Sequence, residues 1–172
     1  MGKASSPAGP CAGFPSRGKW PACSGPVWRS GKVCRVLTRR FTYETRGNGE
    51  MVNLTPQVAR EVDASGLAEG SVLVYTPHTT AAVVVIEWEP GLLEDFPAFW
   101  ERLAPRDHPY RHNRADDNGH AHIRASSLGP SLVVPFSRGR LLLGTWQQIA
   151  LVDFDTRPRR REVVVQVSGI PE

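Results

Sequence analysis

The chain has 172 residues, 40% hydrophobic and 22% charged, with a formal net charge of +4. That is enough chain for one domain with a real core. No apolar run approaches the ~20 residues of a membrane span, and the N-terminus lacks the continuous apolar stretch of a secretory signal, so membrane insertion is excluded and a cytoplasmic location is expected. The basic balance does not make the chain a nucleic-acid binder. Residues 1–50 carry nine Lys/Arg against two Asp/Glu, and the remainder carries twelve against fifteen. The positive excess reads as a solvated tail rather than a nucleic-acid arm.

Residues 1–31 contain eleven Gly and Pro and keep no regular period, so a disordered or loosely attached segment is expected there, with a single domain over 32–172. Cys11, Cys23 and Cys34 are odd in number and far from the histidines, which argues for reduced thiols. Lys32–Thr45 alternates in part and predicts a first strand. Arg46-Gly-Asn-Gly49 is a turn signal. Thr55-Pro56 opens a helix with Thr55 as N-cap, ended by Gly66 or Gly70. Ser71–Tyr75 and Ala81–Trp88 are Val/Ile-rich strands. Pro90–Leu103 reads as a second helix, limited or kinked by Pro97. Residues 104–117 form a polar loop, and Asn118–Leu128 a short helix stopped by Gly129. Strands are then expected at Ser131–Pro135, Arg140–Leu143, Gln147–Phe154 and Glu162–Val167, with a hairpin turn at Ser137-Arg-Gly139. This order predicts an α+β fold, a largely antiparallel β-sandwich with two to three helices.

Histidine carries the chemistry. Four of the five, His108, His112, His120 and His122, fall within fifteen residues, and His78 ends a strand. Imidazole both titrates near neutrality and binds divalent metals. His120 and His122 diverge by about 200° on a helix, so only one of them faces a common site. With His112 from the loop, the set suggests a three-histidine site with an open position for water or a phosphate oxygen. His78 has a second reading, as a turn cap held by hydrogen bonds. Glu87 interrupts an apolar run and is either a strand-end residue or a functional base or orienter. Asp117 and Asn118 offer an anion and an amide for the same purposes, or an ordinary helix cap. Leu143-Gly-Thr-Trp-Gln147 is either a ligand-contacting turn or a β-bulge with a core Trp. Arg157, Arg159, Arg160 and Arg161 either meet phosphate or form a solvated charge run. No Gly-rich phosphate loop, dinucleotide fingerprint or nucleophile elbow is present.

His78-Thr-Thr-Ala-Ala82 with Glu87, Tyr110-Arg-His112, Asp117-Asn-Gly-His-Ala-His122, Leu128-Gly129 and Leu143-Gly-Thr-Trp-Gln147 together resemble the YjbQ-like family, often labelled secondary thiamine-phosphate synthases. The resemblance runs from about Val33 to Gly169. It implies an α+β fold on a β-sandwich, a homotrimer with sites near subunit boundaries, and a pocket in which His78, His112 and His122 hold a divalent metal ion (zinc or magnesium) or an anion. His108 and His120 have no counterpart in that pattern. The implied activity joins a pyrimidine methyl diphosphate to a thiazole phosphate and releases diphosphate. Glu87, Asp117 and Asn118 then take catalytic roles. Thr79, Thr80, Gly144, Thr145, Trp146 and Gln147 contact the small phosphorylated heterocycle, with Trp146 walling the pocket. A metal-dependent hydrolase and a non-catalytic ligand-binding protein are the alternatives.

Overall fold

The computed structural model describes residues 33–172; the expectations for residues 1–31, with Cys11 and Cys23, lie outside them. The elements are strands β1 (Arg35–Thr45) and β2 (Glu50–Asn53), helix α1 (Thr55–Ala64), strands β3 (Glu69–Tyr75) and β4 (Ala81–Glu87), helix α2 (Pro90–Leu103), a 3-10 turn (Arg111–Arg114), helix α3 (Gly119–Leu128), and strands β5 (Ser131–Ser137), β6 (Arg140–Leu141), β7 (Gln147–Asp153) and β8 (Arg159–Ile170). A five-stranded sheet has the order β1-β8-β3-β5-β6 and a three-stranded sheet the order β2-β7-β4. All pairings are antiparallel. This is the α+β sandwich that the strand pattern predicts. Among the described residues no helix is long and apolar enough to cross a membrane.

The apolar runs of β4 and β7 have a simple cause, because the sheet is buried on both faces over Ala81–Val83 and Ile149–Asp153. Ala81, Val83, Ile149 and Leu151 face the main core with Val72, Val74, Val163 and Val165 of the five-stranded sheet, and α1 adds Val58 and Val62. Ala82, Val152 and Phe154 face the other way, under Trp100 of α2 and Ala121 and Ala125 of α3. A strand buried on both faces must be apolar at every position, so period 2 disappears. The outer face of the five-stranded sheet is more open, with Val133 and Tyr75 exposed.

Three local expectations change. The strand β2 was absent from the predicted order. It has four half-buried residues without alternation, and its pairing with β7 creates it. Thr55 does not cap α1: the cap position is Leu54, Asn53 Oδ1 accepts the Thr55 N–H, and the Thr55 hydroxyl accepts the Ile149 N–H at 2.8 Å. The predicted strand Arg140–Leu143 shrinks to Arg140–Leu141. Helix α2 spans Pro90–Leu103 with Pro97 inside it, and the Glu89 carboxylate caps it by accepting the Gly91 and Leu92 N–H groups at 2.9 Å.

Candidate functional site

The antiparallel pairing of β4 with β7 divides the predicted site residues between two ends of one sheet. Ala81 lies opposite Asp153 and Glu87 lies opposite Gln147. Six residue steps of about 3.3 Å separate Ala81 from Glu87, so the two ends are about 20 Å apart. His78, Thr79 and Thr80 lead into the first end. Glu87, Gly144, Thr145, Trp146 and Gln147 gather at the second.

At the first end, α3 begins at Gly119 because Asn113 Oδ1 accepts its N–H at 2.9 Å. A Cβ on Gly119 would stand 2.7 Å from that oxygen and from Tyr110 Cβ, so only glycine permits this cap. The amide of Asn118 is thereby free for another use. His112 Nε2 and Asn118 Oδ1 are 3.1 Å apart; the amide oxygen accepts, so Nε2 carries the proton and Nδ1 keeps a lone pair. His122 lies one helical turn on, with its ring centroid 4.6 Å from that of His112. Burial and the nearby His112 push the His122 pKa down, while Asp155, Asp116 and the Thr79 carbonyl oppose the shift. Burial and His112 thus favour the neutral form of His122.

His78 is committed differently. Its Nε2 accepts the backbone N–H of Glu162 at 2.8 Å, which is the turn-capping reading of this residue. Burial and Arg161 lower its pKa against Asp153 and Glu162. Among the described residues no three His, Cys, Asp or Glu side chains are grouped so as to hold one metal ion. The geometry supplies two candidate ligands, His112 and His122, and Asn118 Oδ1 orients the His112 ring, a support usual for metal-bound histidine.

His120 points away from this pair, as helical spacing requires. It is fully buried, and neither ring nitrogen has a hydrogen-bond partner. Burial, Arg124 and Arg106 hold its pKa down. His108 is exposed and packs edge-on against Tyr110.

Beneath the histidines lies a buried ion network that sequence reading missed. Arg161 is 4% exposed and Asp153 is 0% exposed. Arg161 donates through Nε to Asp153 Oδ2 at 2.7 Å and through Nη2 to Asp153 Oδ1 at 2.5 Å. Its Nη2 also reaches Thr80 Oγ1 at 2.8 Å and Asp155 Oδ2 at 3.3 Å. The Thr80 hydroxyl in turn donates to Asp155 Oδ2, and Thr45 donates to Asp153 Oδ2. Burial opposes ionisation of Asp155, but hydrogen bonds from Arg159, the Thr156 N–H and Thr80 outweigh it and hold the carboxyl at about 2. The arginine run is thus neither a solvated face nor a phosphate clamp throughout: Arg161 and Arg159 are spent on Asp153 and Asp155. Thr80 is a scaffold residue rather than an open substrate contact. The signal was available in Asp153 and Asp155 two apart at a strand end, but their partners lie across a turn.

Asp117 is exposed and accepts from Thr156 Oγ1 at 2.9 Å and Arg157 Nη2 at 3.0 Å, and those bonds lower its pKa. Asn118 positions His112. Glu87 is exposed at the far end of β4. Trp146 is 70% exposed, so it is not a core Trp. Gln147 Oε1 accepts the Gly144 N–H at 2.8 Å and closes that turn. Gly144, Thr145 and Gln147 line an open groove of about 500 Å³ with Thr55 and Arg140.

A sandwich of two antiparallel sheets with an imidazole pair over a buried arginine network defines a particular class of small α+β protein. The family model described as UPF0047 protein YjbQ-like matches residues 39–170, and the chain belongs to that family. The UPF0047 protein of Archaeoglobus fulgidus is 48% identical over 126 residues, covering 73% of this chain and 97% of its own. The UPF0047 protein YugU of Bacillus subtilis is 34% identical over 135 residues, covering 77% and 100%. The crystal structure of a YbjQ-like protein of unknown function from Sulfolobus solfataricus superimposes with a TM-score of 0.77 at 36% identity, covering 80% of this chain and 99% of that one.

Proposed function

We propose that the histidine end is the reaction centre of a thiamine-phosphate synthase-type transferase. The observation that carries this reading is that every nearby carboxylate is already engaged: Asp153 and Asp155 by Arg161 and Arg159, Asp116 and Asp117 by Arg157. Coupling a pyrimidine methyl diphosphate to a thiazole phosphate needs no general base. The methylene C–O bond breaks, diphosphate leaves with the electron pair, and the thiazole nitrogen supplies the pair for the new C–N bond. Hydrolysis would in addition need an imidazole, a metal-bound hydroxide or a carboxylate to activate water, and within one subunit the carboxylates expected for that role are distant, as Glu87 is, or ion-paired, as Asp117 is.

His112 and His122 would hold a divalent cation, leaving positions for phosphate oxygens. Such an ion would supply charge stabilisation to the departing diphosphate. Asn118 orients His112. The second end of the sheet enters through assembly. Head-to-tail contact in a ring of three brings the end of one subunit to the opposite end of the next. Exposed Val85, Trp88, Leu142 and Trp146 at that end favour such burial. A homotrimer then joins Glu87 and Trp146 of one subunit to the histidines of its neighbour, and Trp146 walls the heterocycle.

The test measures thiamine phosphate formed from the two precursors with divalent metal, for wild type, His112→Ala and Glu87→Gln, beside light scattering. Turnover by a trimer, lost in His112→Ala, is expected. A monomeric wild type, or turnover unchanged in His112→Ala, overturns the reading.

A further inference from the structure

A cavity of about 250 Å³ opens beside His78, walled by Tyr75, Pro77, Ala81, Ala125 and Pro130, with Thr79 and Ser126 at its edge. It shares Thr79 with the histidine pair and lies one turn further along α3, where Ser126 follows His122 on the same helix face. The chemistry of His78 in this cavity is fixed by β8. Strand β3 pairs with β8 only as far as Tyr75 opposite Val164. Beyond that point the backbone of Glu162 loses its strand partner on that side, and two side chains replace it. The Thr76 hydroxyl donates to the Glu162 carbonyl at 3.0 Å, and His78 Nε2 accepts the Glu162 N–H at 2.8 Å. Thr76 is itself anchored through its N–H to the Pro130 carbonyl at 2.9 Å.

A backbone N–H left unpaired in such a position is costly, so the Nε2 lone pair is structurally committed. A neutral imidazole whose Nε2 accepts must carry its proton on Nδ1. Ligation of a metal through Nδ1 would move the proton to Nε2 and set it against the Glu162 N–H. We propose that His78 is not a metal ligand but the fixed Nδ1–H donor of a separate apolar subsite, which takes a neutral planar nitrogen heterocycle presenting an acceptor lone pair. The apolar walls suit the ring faces and edges, and a single donor selects the ring nitrogen. The role of this subsite in turnover rests on the transferase reading above; its ligand chemistry and tautomer do not.

Two measurements on the full chain decide it, and neither uses turnover. The first is two-bond nitrogen–proton correlation spectroscopy of histidine-labelled wild type, with and without zinc. The expected result is an Nδ1–H tautomer for His78 that zinc leaves unchanged. An Nε2–H pattern, or an Nδ1 resonance displaced as on metal ligation, overturns the proposal. The second is titration with 4-aminopyrimidine and, as the analogue lacking ring nitrogens, aniline, read on the amides of Thr79, Ala125 and Ser126. Wild type should bind the pyrimidine at least tenfold more tightly than aniline, and His78→Phe should erase that preference while keeping the ring shape. Equal binding of both probes by wild type, or a preference retained in His78→Phe, also overturns it. Absence of thiamine phosphate formation alone would sink the transferase reading and leave this one standing.

Discussion

The two ends of the three-stranded sheet both carry signature residues and have almost opposite physics. At the histidine end, four charged side chains from β7, the following turn and β8 are locked over a buried base. At the Glu87 end, the carboxylate, Trp146 and Gln147 stand in or near solvent, and the polar groups serve a turn. The lesson is that a motif residue tells where chemistry is concentrated, while burial tells which of its residues the fold depends on.

The largest expected difference between the ends comes from Arg161→Leu. Removing one partner of a buried ion pair leaves the other uncompensated and costs about 3–5 kcal/mol; here Asp153 and Asp155 both lose it. Glu87→Ala should stay within about 0.5 kcal/mol of wild type, as surface changes do. Urea unfolding midpoints check both. Comparable losses at the two ends would show that Glu87 is structurally engaged.

Acid should reach one end first. Asp155 binds its proton at about 2 in the folded chain against 3.8 ordinarily. Its folded pKa is depressed, so its contribution is present above 3.8 and disappears as pH falls through about 2. The shift corresponds to about 2 kcal/mol. His78, His120 and His122 are also depressed, chiefly by burial, so their contribution is complete above 6.5 and is lost as pH falls through their lower folded values. Asp155→Asn should be less stable than wild type by about 2 kcal/mol near neutrality and converge with it near pH 2. Parallel acid limbs in the two proteins would remove Asp155 as the cause.

The contrast between the ends also explains what was legible in the sequence. Elements whose signal is local were readable: Pro90–Leu103 has its own boundaries, and the His120–His122 divergence follows from helical geometry alone. The sandwich was readable from strand order. The pairing of β2 with β7 was not, because four non-alternating residues become a strand only when a partner is supplied. The Arg161 network was not, because Thr45, Thr80, Asp153 and Arg161 are brought together by two strand pairings, β1 with β8 and β4 with β7, and by the turn between β7 and β8, and an arginine run looks the same solvated or buried. Glu87 belongs to the same signature as His78, but the extended chain between them carries it to the opposite end of β4.

A smaller effect should follow Gln147→Ala. Its side chain closes the Gly144 turn by one exposed hydrogen bond, worth about 0.5–1.5 kcal/mol, at the end where nothing else is buried. In the proposed trimer this turn meets a neighbouring subunit, so a loss beyond that range with a change in subunit number by light scattering supports that contact, and a loss within it with the assembly unchanged leaves the turn in solvent.

The smallest effect belongs to Arg157→Ala at the histidine end. Arg157 ties Asp116 and Asp117, just before α3, to the turn after β7, but the whole pair is exposed. Exposed ion pairs are screened by salt and contribute little to stability. The melting temperature should therefore fall only slightly at low ionic strength and match wild type at high salt. The substitution removes one of the ties between the segment that carries His112 and the turn after β7, so the metal uptake proposed for His112 and His122 should weaken at every salt concentration. Uptake that recovers with salt would reduce Arg157 to a long-range charge, and the loop would then be held by its other ties, the Asn113–Gly119 cap and the Thr156–Asp117 bond among them.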